Sequence, residues 1–279
     1  MREPDPNRGE LELPTAGSTR RDFVRLLGLG GTLAVLPSVV SGCDDFGDPR
    51  PYDGPTGPGT QTPAVTNLSF DLRTDIGIFR LLHVQEQLES AFYIAVVASG
   101  GFNTFFTAEE RELFIDLRNV EILHRETIAT ALGSQAAPNL AGSINVAVLN
   151  SVLSSRASIV TMARVLEHTG VAGLNGNGKY ITDARNLLFA GKLASVEGRH
   201  AAALRDIAAP AGQSATTAFA GDDIIDATGR DVKLEAADVI ANLLATNLLL
   251  PGTLAAQPIS NPPTAAQGVA TPNFFPALP

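Results

Sequence analysis

The sequence predicts an all-α protein whose centre is a four-helix bundle. Four segments carry apolar residues at alternating steps of three and four, the spacing of a buried helix face. Each segment also has a glutamate in phase with its apolar residues, and two segments contain Glu-x-x-His, at Glu121 with His124 and at Glu197 with His200. Residues three apart project from one side of a helix, so each pair presents a carboxylate and an imidazole together.

The composition limits the class of protein. A chain of 279 residues with several stretches unsuited to a core predicts one domain of moderate size. The net charge of −9 argues against nucleic acid as a partner, since nucleic acid favours basic patches. Cys43 is the single cysteine, which excludes an internal disulfide and any cysteine-based metal cluster.

Residues 1–43 read as a targeting segment. Arg20 and Arg21, followed by Phe23, resemble the twin-arginine export signal, and a short apolar run interrupted by Pro37 comes next. That run is too short for a permanent membrane span. It ends at Val-Ser-Gly-Cys43, which resembles a bacterial lipobox, so we expect Cys43 to be lipidated; an ordinary cleavage site with an incidental cysteine is the alternative.

Export and lipidation together predict a protein anchored to the extracytoplasmic face of a bacterial membrane, in the periplasm or cell envelope. Residues 44–70 are rich in proline and glycine, and we interpret them as a tether. Residues 71–208 are the predicted bundle, 209–250 an extension with a fifth helix near 234–250, and 251–279 a low-complexity, poorly ordered tail.

The helix limits follow from caps and breakers. The first helix is predicted over 73–98 and the second from a capping box at Thr107 and Glu110 to about Gly133. Residues 134–143 are longer than antiparallel neighbours need and predict a long crossover. The third helix is predicted over 145–170 or slightly beyond, a turn at 175–178, and the fourth helix over 182–207.

The glutamates on these apolar stripes predict a metal centre. A lone carboxylate in a helix core is costly, and several facing one another repel unless cations neutralise them. One glutamate from each of two helices plus Glu-x-x-His from each of two others is the ligand set of a di-metal bundle. A single Glu-x-x-His is common on solvated faces, so the prediction rests on the coincidence of four segments. The candidate ligands are Glu86, Glu89, Glu121, His124, Glu167, Glu197 and His200.

Three other side chains have two interpretations each. Tyr93 lies two turns after Glu86, where its hydroxyl could hydrogen-bond a ligand carboxylate, or it is a core tyrosine with a satisfied hydroxyl. His83 lies off the apolar stripe, which predicts partial exposure, and His168 directly follows Glu167. We interpret both histidines as structural or solvated. For His83 the alternative is contact with a metal ligand.

With these residues in place, the sequence resembles the ferritin-like superfamily, and within it the exported bacterial ferritin-like domain proteins related to plant desiccation-related proteins. The resemblance covers about residues 73–207. It implies a first-helix ligand at Glu86, with Glu89 able to share or replace that role, and a third-helix ligand at Glu167. It also implies the pairs Glu121 with His124 and Glu197 with His200, and it interprets 134–143 as the crossover of this fold.

The leading functional hypothesis is a di-metal centre, with iron favoured over manganese, that oxidises iron or consumes peroxide or O₂. In it, Glu121 and Glu197 bridge the ions. A protective or structural envelope protein without metal chemistry is the alternative, and a manganese catalase is a third. A lipid anchor and a long tether fit poorly with a closed storage cage, whereas a dimer is compatible with the sequence.

Overall fold

The structure is a computed structural model that describes residues 61–208, 221 and 223–264. The predicted export signal with Arg20 and Arg21, the predicted lipidation site Cys43 and the tether up to residue 60 lie outside the described residues. So does the predicted tail beyond residue 264. These predictions therefore stay predictions.

The described residues form seven α-helices and two short strands, which confirms the all-α prediction. The four long helices are α1 (Asp75–Ala98), α3 (Ala108–Leu132), α5 (Arg156–Asn177) and α6 (Ala184–Ala208). Three shorter helices are α2 (Phe102–Phe105), α4 (Val146–Val152) and α7 (Ala236–Ala245). The strands are β1 (Leu68–Asp71) and β2 (Leu254–Asn261).

The four long helices form the bundle as two helical hairpins. Helix α1 packs along α3, helix α5 packs along α6, and α1 also packs against α5. Apolar side chains from all four helices fill the interior, and the largest fully buried ones include Phe92, Phe114, Ile128, Leu166 and Leu204. Burial of large apolar side chains is the main force that holds such helices together.

Side-chain caps fix where three of the long helices begin. The hydroxyls of Thr74 and Ser155 accept hydrogen bonds from backbone N–H groups in the first turns of α1 and α5. Thr107 and Glu110 form the capping box that the sequence predicts at the start of α3. The N–H groups that a helix start leaves unpaired are thereby satisfied.

The crossover between the two hairpins is held by a buried glutamine. Residues 133–145 contain two short 3₁₀ turns, Gly133–Gln135 and Ala141–Ser143. The side chain of Gln87 on α1 accepts a hydrogen bond from the Leu140 N–H at 2.8 Å and donates one to the Pro138 carbonyl at 3.2 Å. A buried amide with both ends paired explains how this long connection stays against the bundle.

The prediction of one continuous third helix is wrong. Helices α4 and α5 replace it, and the chain bends by 117° between them. Hydrogen bonds of two serine side chains explain the break. The Ser158 hydroxyl donates to the Val152 carbonyl at 2.7 Å, and the Ser155 hydroxyl caps the start of α5. Side-chain hydrogen bonds of this kind compete with the helix backbone ladder.

The predicted turn at 175–178 is also wrong in its position, because α5 continues through Asn177. Gly176 serves close packing instead of a turn. A Cβ at residue 176 would lie 1.9 Å from the backbone oxygen of Leu234, and the Leu234 N–H donates to the Ala172 carbonyl at 2.7 Å. The missing side chain therefore lets the segment before α7 lie directly on α5.

The C-terminal region is more ordered than the sequence predicts. The fifth helix exists as α7, which is shorter than predicted and packs on α5. The poorly ordered tail predicted from Pro251 is wrong for Leu254–Asn261, because this segment is strand β2. Strand β2 pairs in parallel with β1. Strand β1 spans the boundary between the predicted tether, which ends at residue 70, and the predicted bundle. Phe70 and Leu254 are buried in the pairing, and this burial explains the order.

Within the described residues, no single helix is both long enough and apolar enough to cross a membrane. The bent pair formed by Val146–Val152 and Arg156–Tyr180 reaches that length and composition when its parts are taken together.

Candidate metal centre

Each long helix of the bundle contributes to one polar cluster in the core. Glu86 comes from α1 and Glu167 from α5, and both are buried at 1 % exposure or less. Helix α3 contributes Glu121 with His124, and α6 contributes Glu197 with His200. The structure thus brings together six of the seven ligands that the sequence predicts.

The six side chains form two overlapping groups of four. In the first group, ligand atoms of Glu86, Glu121, His124 and Glu197 lie within 4.8 Å of one another. In the second group, the same holds for Glu121, Glu167, Glu197 and His200. Glu121 and Glu197 belong to both groups, so each could contact two ions, and each group could hold one metal ion.

The imidazole of His124 faces carboxylates with its Nδ1 atom. This nitrogen lies 3.0 Å from Glu197 Oε1, 3.2 Å from Glu121 Oε2 and 3.5 Å from Glu86 Oε2. One ring nitrogen carries at most one proton, so it cannot satisfy three oxygens as a donor. Neighbouring ligands around an ion at about 2.1 Å are themselves about 3 Å apart, so the spacing matches donors converging on a cation.

His200 has the equivalent position in the second group. Its Nδ1 lies 2.8 Å from Glu121 Oε1, 3.2 Å from Glu167 Oε2 and 3.8 Å from Glu197 Oε2. The two imidazole rings are 6.2 Å apart between centroids. Both histidines therefore offer the same nitrogen, Nδ1, to the carboxylates of the cluster.

Four carboxylate oxygens in the cluster are buried without a hydrogen bond. They are Glu86 Oε2, Glu121 Oε1, and both carboxylate oxygens of Glu197. An imidazole nitrogen lies near them, but within the described residues none of the four accepts a well-directed hydrogen bond. Buried carboxylate oxygens left in this way are costly unless a proton or a cation neutralises them, so the residues fit a metal ion.

The pKa values of the cluster residues also indicate that the cluster favours positive charge. Burial lowers the pKa of His124 and His200, but the carboxylates that face the two rings outweigh it and raise both to about 12. Burial raises the pKa of Glu86 and Glu167 well above the ordinary value. For Glu197 burial acts in the same direction, but the two imidazoles outweigh it and lower the pKa.

Tyr93 donates a hydrogen bond to a carboxylate of the cluster. Its hydroxyl lies 2.6 Å from Glu167 Oε1, on α5, and the side chain is fully buried beside Phe92 and Phe114. Burial and the Glu167 charge raise the pKa of Tyr93, so the hydroxyl keeps its proton and remains a donor. In the sequence, Tyr93 is two helical turns after Glu86, but the carboxylate that accepts its hydrogen bond belongs to Glu167 on another helix.

Glu89 is the predicted ligand that lies outside both groups. It is fully buried, and its Oε1 accepts a hydrogen bond from the Gln85 side chain at 3.2 Å. Of the two first-helix candidates, the structure places Glu86 beside His124. Sequence reasoning missed Gln85, although its position four residues before Glu89 is the spacing of an interacting helical pair.

The two remaining histidines are not part of the cluster. The expectation of a partly exposed His83 is wrong: it is buried at 4 % exposure, because residues 81–90 of α1 are covered on every side. Burial lowers the pKa of His83. His168 is half-buried, and it lines a cavity of about 1030 Å³ together with residues of α5, α6 and α7.

Four helices bring carboxylates and imidazoles together in the core. The protein is therefore a helical bundle with a carboxylate-rich cluster that could hold metal ions. Residues 74–210 match the family model described as the ferritin-like domain, which supports the resemblance to the ferritin-like superfamily. The resemblance to that superfamily is confirmed. Neither the comparison with curated proteins nor the comparison with solved structures found a match.

Proposed function

We propose that the domain binds two metal ions in one carboxylate-bridged centre, with iron preferred to manganese. The observation that carries the proposal is the sharing of Glu121 and Glu197 by both four-residue groups. Glu86 with His124 completes one position, and Glu167 with His200 completes the other. A mixed set of carboxylate and imidazole ligands suits iron and manganese better than a metal that prefers thiolates.

The residues around the centre would hold its ligands in place and keep water out. Tyr93 binds one oxygen of Glu167, which leaves the other oxygen facing His200. Partners of this kind orient ligands and raise metal affinity. Phe92 and Phe114 pack against Tyr93, and Ile128 lies one helical turn after His124; all three are buried at 1 % exposure or less. A bound pair of redox-active ions would supply electrons for chemistry with O₂ or peroxide.

The proposed activity is oxidation of iron or consumption of peroxide or O₂. We place this activity outside the cytoplasmic membrane, in a protein exported through the signal at Arg20 and Arg21 and anchored at Cys43. This placement rests on the sequence motifs alone. Membrane fractionation of the wild type and of a Cys43→Ser variant tests it, with release of the variant from the membrane as the expected result.

Metal analysis of the purified protein tests the centre itself. After anaerobic reconstitution with Fe²⁺ or Mn²⁺ and desalting, the wild type should retain two ions per chain. Glu197→Ala removes a residue of both groups and should lose most of the metal, whereas Glu112→Ala changes an exposed glutamate and should not. A wild type that retains almost no metal would reject the proposal and favour the protective protein without metal chemistry.

Two assays separate the activities. Absorbance that develops when Fe²⁺ is added in air reports iron oxidation, and loss of peroxide from the iron form reports peroxide consumption. Rapid O₂ release from peroxide by the manganese form would identify a catalase instead. Inactivity of both loaded forms would leave a metal-binding protein without the proposed turnover.

A further inference from the structure

The two hairpins of the bundle repeat their ligands, and one position breaks the repeat. Glu86 on α1 corresponds to Glu167 on α5, and the Glu-x-x-His of α3 corresponds to that of α6. Three residues after each single glutamate, however, α1 has Glu89 and α5 has Gly170. One half of the centre thus has an additional carboxylate, and the other half has no side chain.

Glu89 is buried beside the cluster and is only partly satisfied. Its exposure is 0 %, its Oε1 accepts from Gln85, and its Oε2 has no hydrogen-bond partner within the described residues. None of the ion pairs formed within those residues includes it. A carboxylate in such surroundings is costly unless a cation lies near it.

Gly170 provides the room for this arrangement. A Cβ at residue 170 would lie 2.6 Å from Gln85 Nε2, 3.4 Å from Glu89 Oε1 and 3.5 Å from Glu197 Oε2. Glu89 and the shared ligand Glu197 therefore reach the same small surface of α5. Gly170 corresponds in the repeat to Glu89, and because it has no side chain, Gln85 and Glu89 can approach α5 at this position.

The charges decide what a fifth carboxylate does. The four carboxylates of the two ligand groups balance two divalent ions, as four negative charges against four positive ones. Ionised Glu89 would add one more negative charge in a core where screening by water is weak. Reduction of a trivalent ion to a divalent ion adds one electron and removes one positive charge, so the additional carboxylate opposes it.

Building on the proposed di-metal centre, we propose that Glu89 is a positioning residue that stabilises the trivalent state of the bound metal. Its role differs from that of Glu86, because it adds charge without belonging to either four-residue group. A purely structural role is the competing explanation. The two roles predict opposite effects on the metal-free protein.

The test compares Glu89→Gln with the wild type, using the full chain loaded with iron. A mediated redox titration should give a higher midpoint potential for Glu89→Gln, at an unchanged iron content. Glu89→Asp keeps the charge and should restore a potential near that of the wild type. The exposed-site variant Glu112→Gln should leave the potential unchanged. Equal potentials for Glu89→Gln and the wild type would overturn the proposal.

Thermal unfolding of the metal-free proteins is the second readout. Glu89→Gln removes a buried carboxylate that lacks a cation, so its unfolding midpoint should be higher than that of the wild type. A lower midpoint, or failure to fold, would give Glu89 a structural role and contradict the proposal. A wild type that binds no iron would instead reject the di-metal centre, so the two failures are distinguishable.

Discussion

The Tyr93 hydroxyl on α1 and the Glu167 carboxylate on α5 are 2.6 Å apart, although the residues are separated by 74 positions in the sequence. The hydrogen bond occupies Glu167 Oε1, and Glu167 Oε2 lies 3.2 Å from His200 Nδ1. One helix therefore fixes the orientation of a carboxylate that a second helix provides, next to an imidazole from a third. This contact connects the packing of the bundle to the geometry of the second ligand group.

Replacing Tyr93 with phenylalanine should weaken metal binding. The change removes the only polar atom of the side chain and leaves Glu167 Oε1 without this donor, while the ring still fills the core. Loss of such a partner typically lowers metal affinity by about 10-fold to 100-fold. Competition titration with a chelator of known affinity measures the effect.

Tyr180→Phe is the matched control for that experiment. The Tyr180 hydroxyl also donates to a glutamate, Glu235, at 3.2 Å, but Glu235 lies outside the two ligand groups. This control should keep the affinity of the wild type. Equal losses in both variants would mean that Tyr93 acts through general stability, and the specific role of its hydroxyl would be wrong.

Single ligand substitutions should divide into two classes. Glu86→Ala and Glu167→Ala each affect one group of four, so each variant should retain about one ion per chain. Glu121→Ala affects both groups and should retain almost none. Elemental analysis after desalting measures the ratio. Equal loss in all three variants would contradict the assignment of shared and unshared ligands.

Helix phase is a local property, so the sequence places the side chains of the buried cluster on the correct helix faces. Glu121, Glu167 and Glu197 can be placed on the buried face from the apolar residues three and four positions away. The role of Glu89 is different, because Glu86 and Glu89 are both in phase with the same stripe. Only the position of α3, with His124 next to Glu86, distinguishes them. Likewise, the acceptor of the Tyr93 hydroxyl depends on how α5 is placed.

Asp75 connects the beginnings of two helices, and its substitution should destabilise the bundle. Its carboxylate accepts from the Thr182 N–H and hydroxyl, the Asp183 N–H and the Asn186 side chain, at 2.8–3.1 Å. Asp75→Asn replaces one acceptor oxygen with a donor and should lower the free energy of unfolding by about 1 kcal/mol, a typical value for a lost helix cap. Chemical denaturation at neutral pH measures it.

The effect of Asp75→Asn should also depend on pH. Partial burial raises the pKa of Asp75, but these hydrogen bonds outweigh it and lower the pKa below the ordinary 3.8. A lowered pKa contributes stability above the unfolded pKa, and this stability is lost as the pH falls through the folded pKa. The difference between wild type and variant should therefore narrow below pH 3.8. The exposed Asp116→Asn is the control, and a difference that stays constant with pH would contradict the assignment.

Two glycine substitutions in long helices should have opposite effects on stability. A Cβ in Gly176→Ala would lie 1.9 Å from the Leu234 oxygen, so the backbone must move, at about 1–3 kcal/mol for an overpacked core. At the exposed Gly191 in α6 a Cβ meets nothing within 4 Å. Gly191→Ala should therefore stabilise the protein by about 0.5–1 kcal/mol through its better helix propensity. Thermal unfolding measures the stability of the two variants. Stabilisation by both substitutions would show that Leu234 does not lie on α5.

Gly176 also illustrates which part of the fold could not be predicted. An Asn-Gly-Asn-Gly sequence is typical of a turn, and the need for a small residue under Leu234 becomes visible only when distant segments meet. The parallel pairing of β1 with β2 is another case, since residues such as Phe70 and Ile259 lie far apart in sequence and Pro258 disfavours a strand. Local patterns predicted the helices, whereas contacts between distant segments decided these features.

Anomalous diffraction from crystals of the iron-loaded protein tests the central claim most directly. The account predicts two iron peaks in the bundle core, one among Glu86, Glu121, His124 and Glu197, and the other among Glu121, Glu167, Glu197 and His200. Data on both sides of the iron absorption edge identify the element. A core without anomalous density, in crystals of protein incubated with iron, would contradict the account.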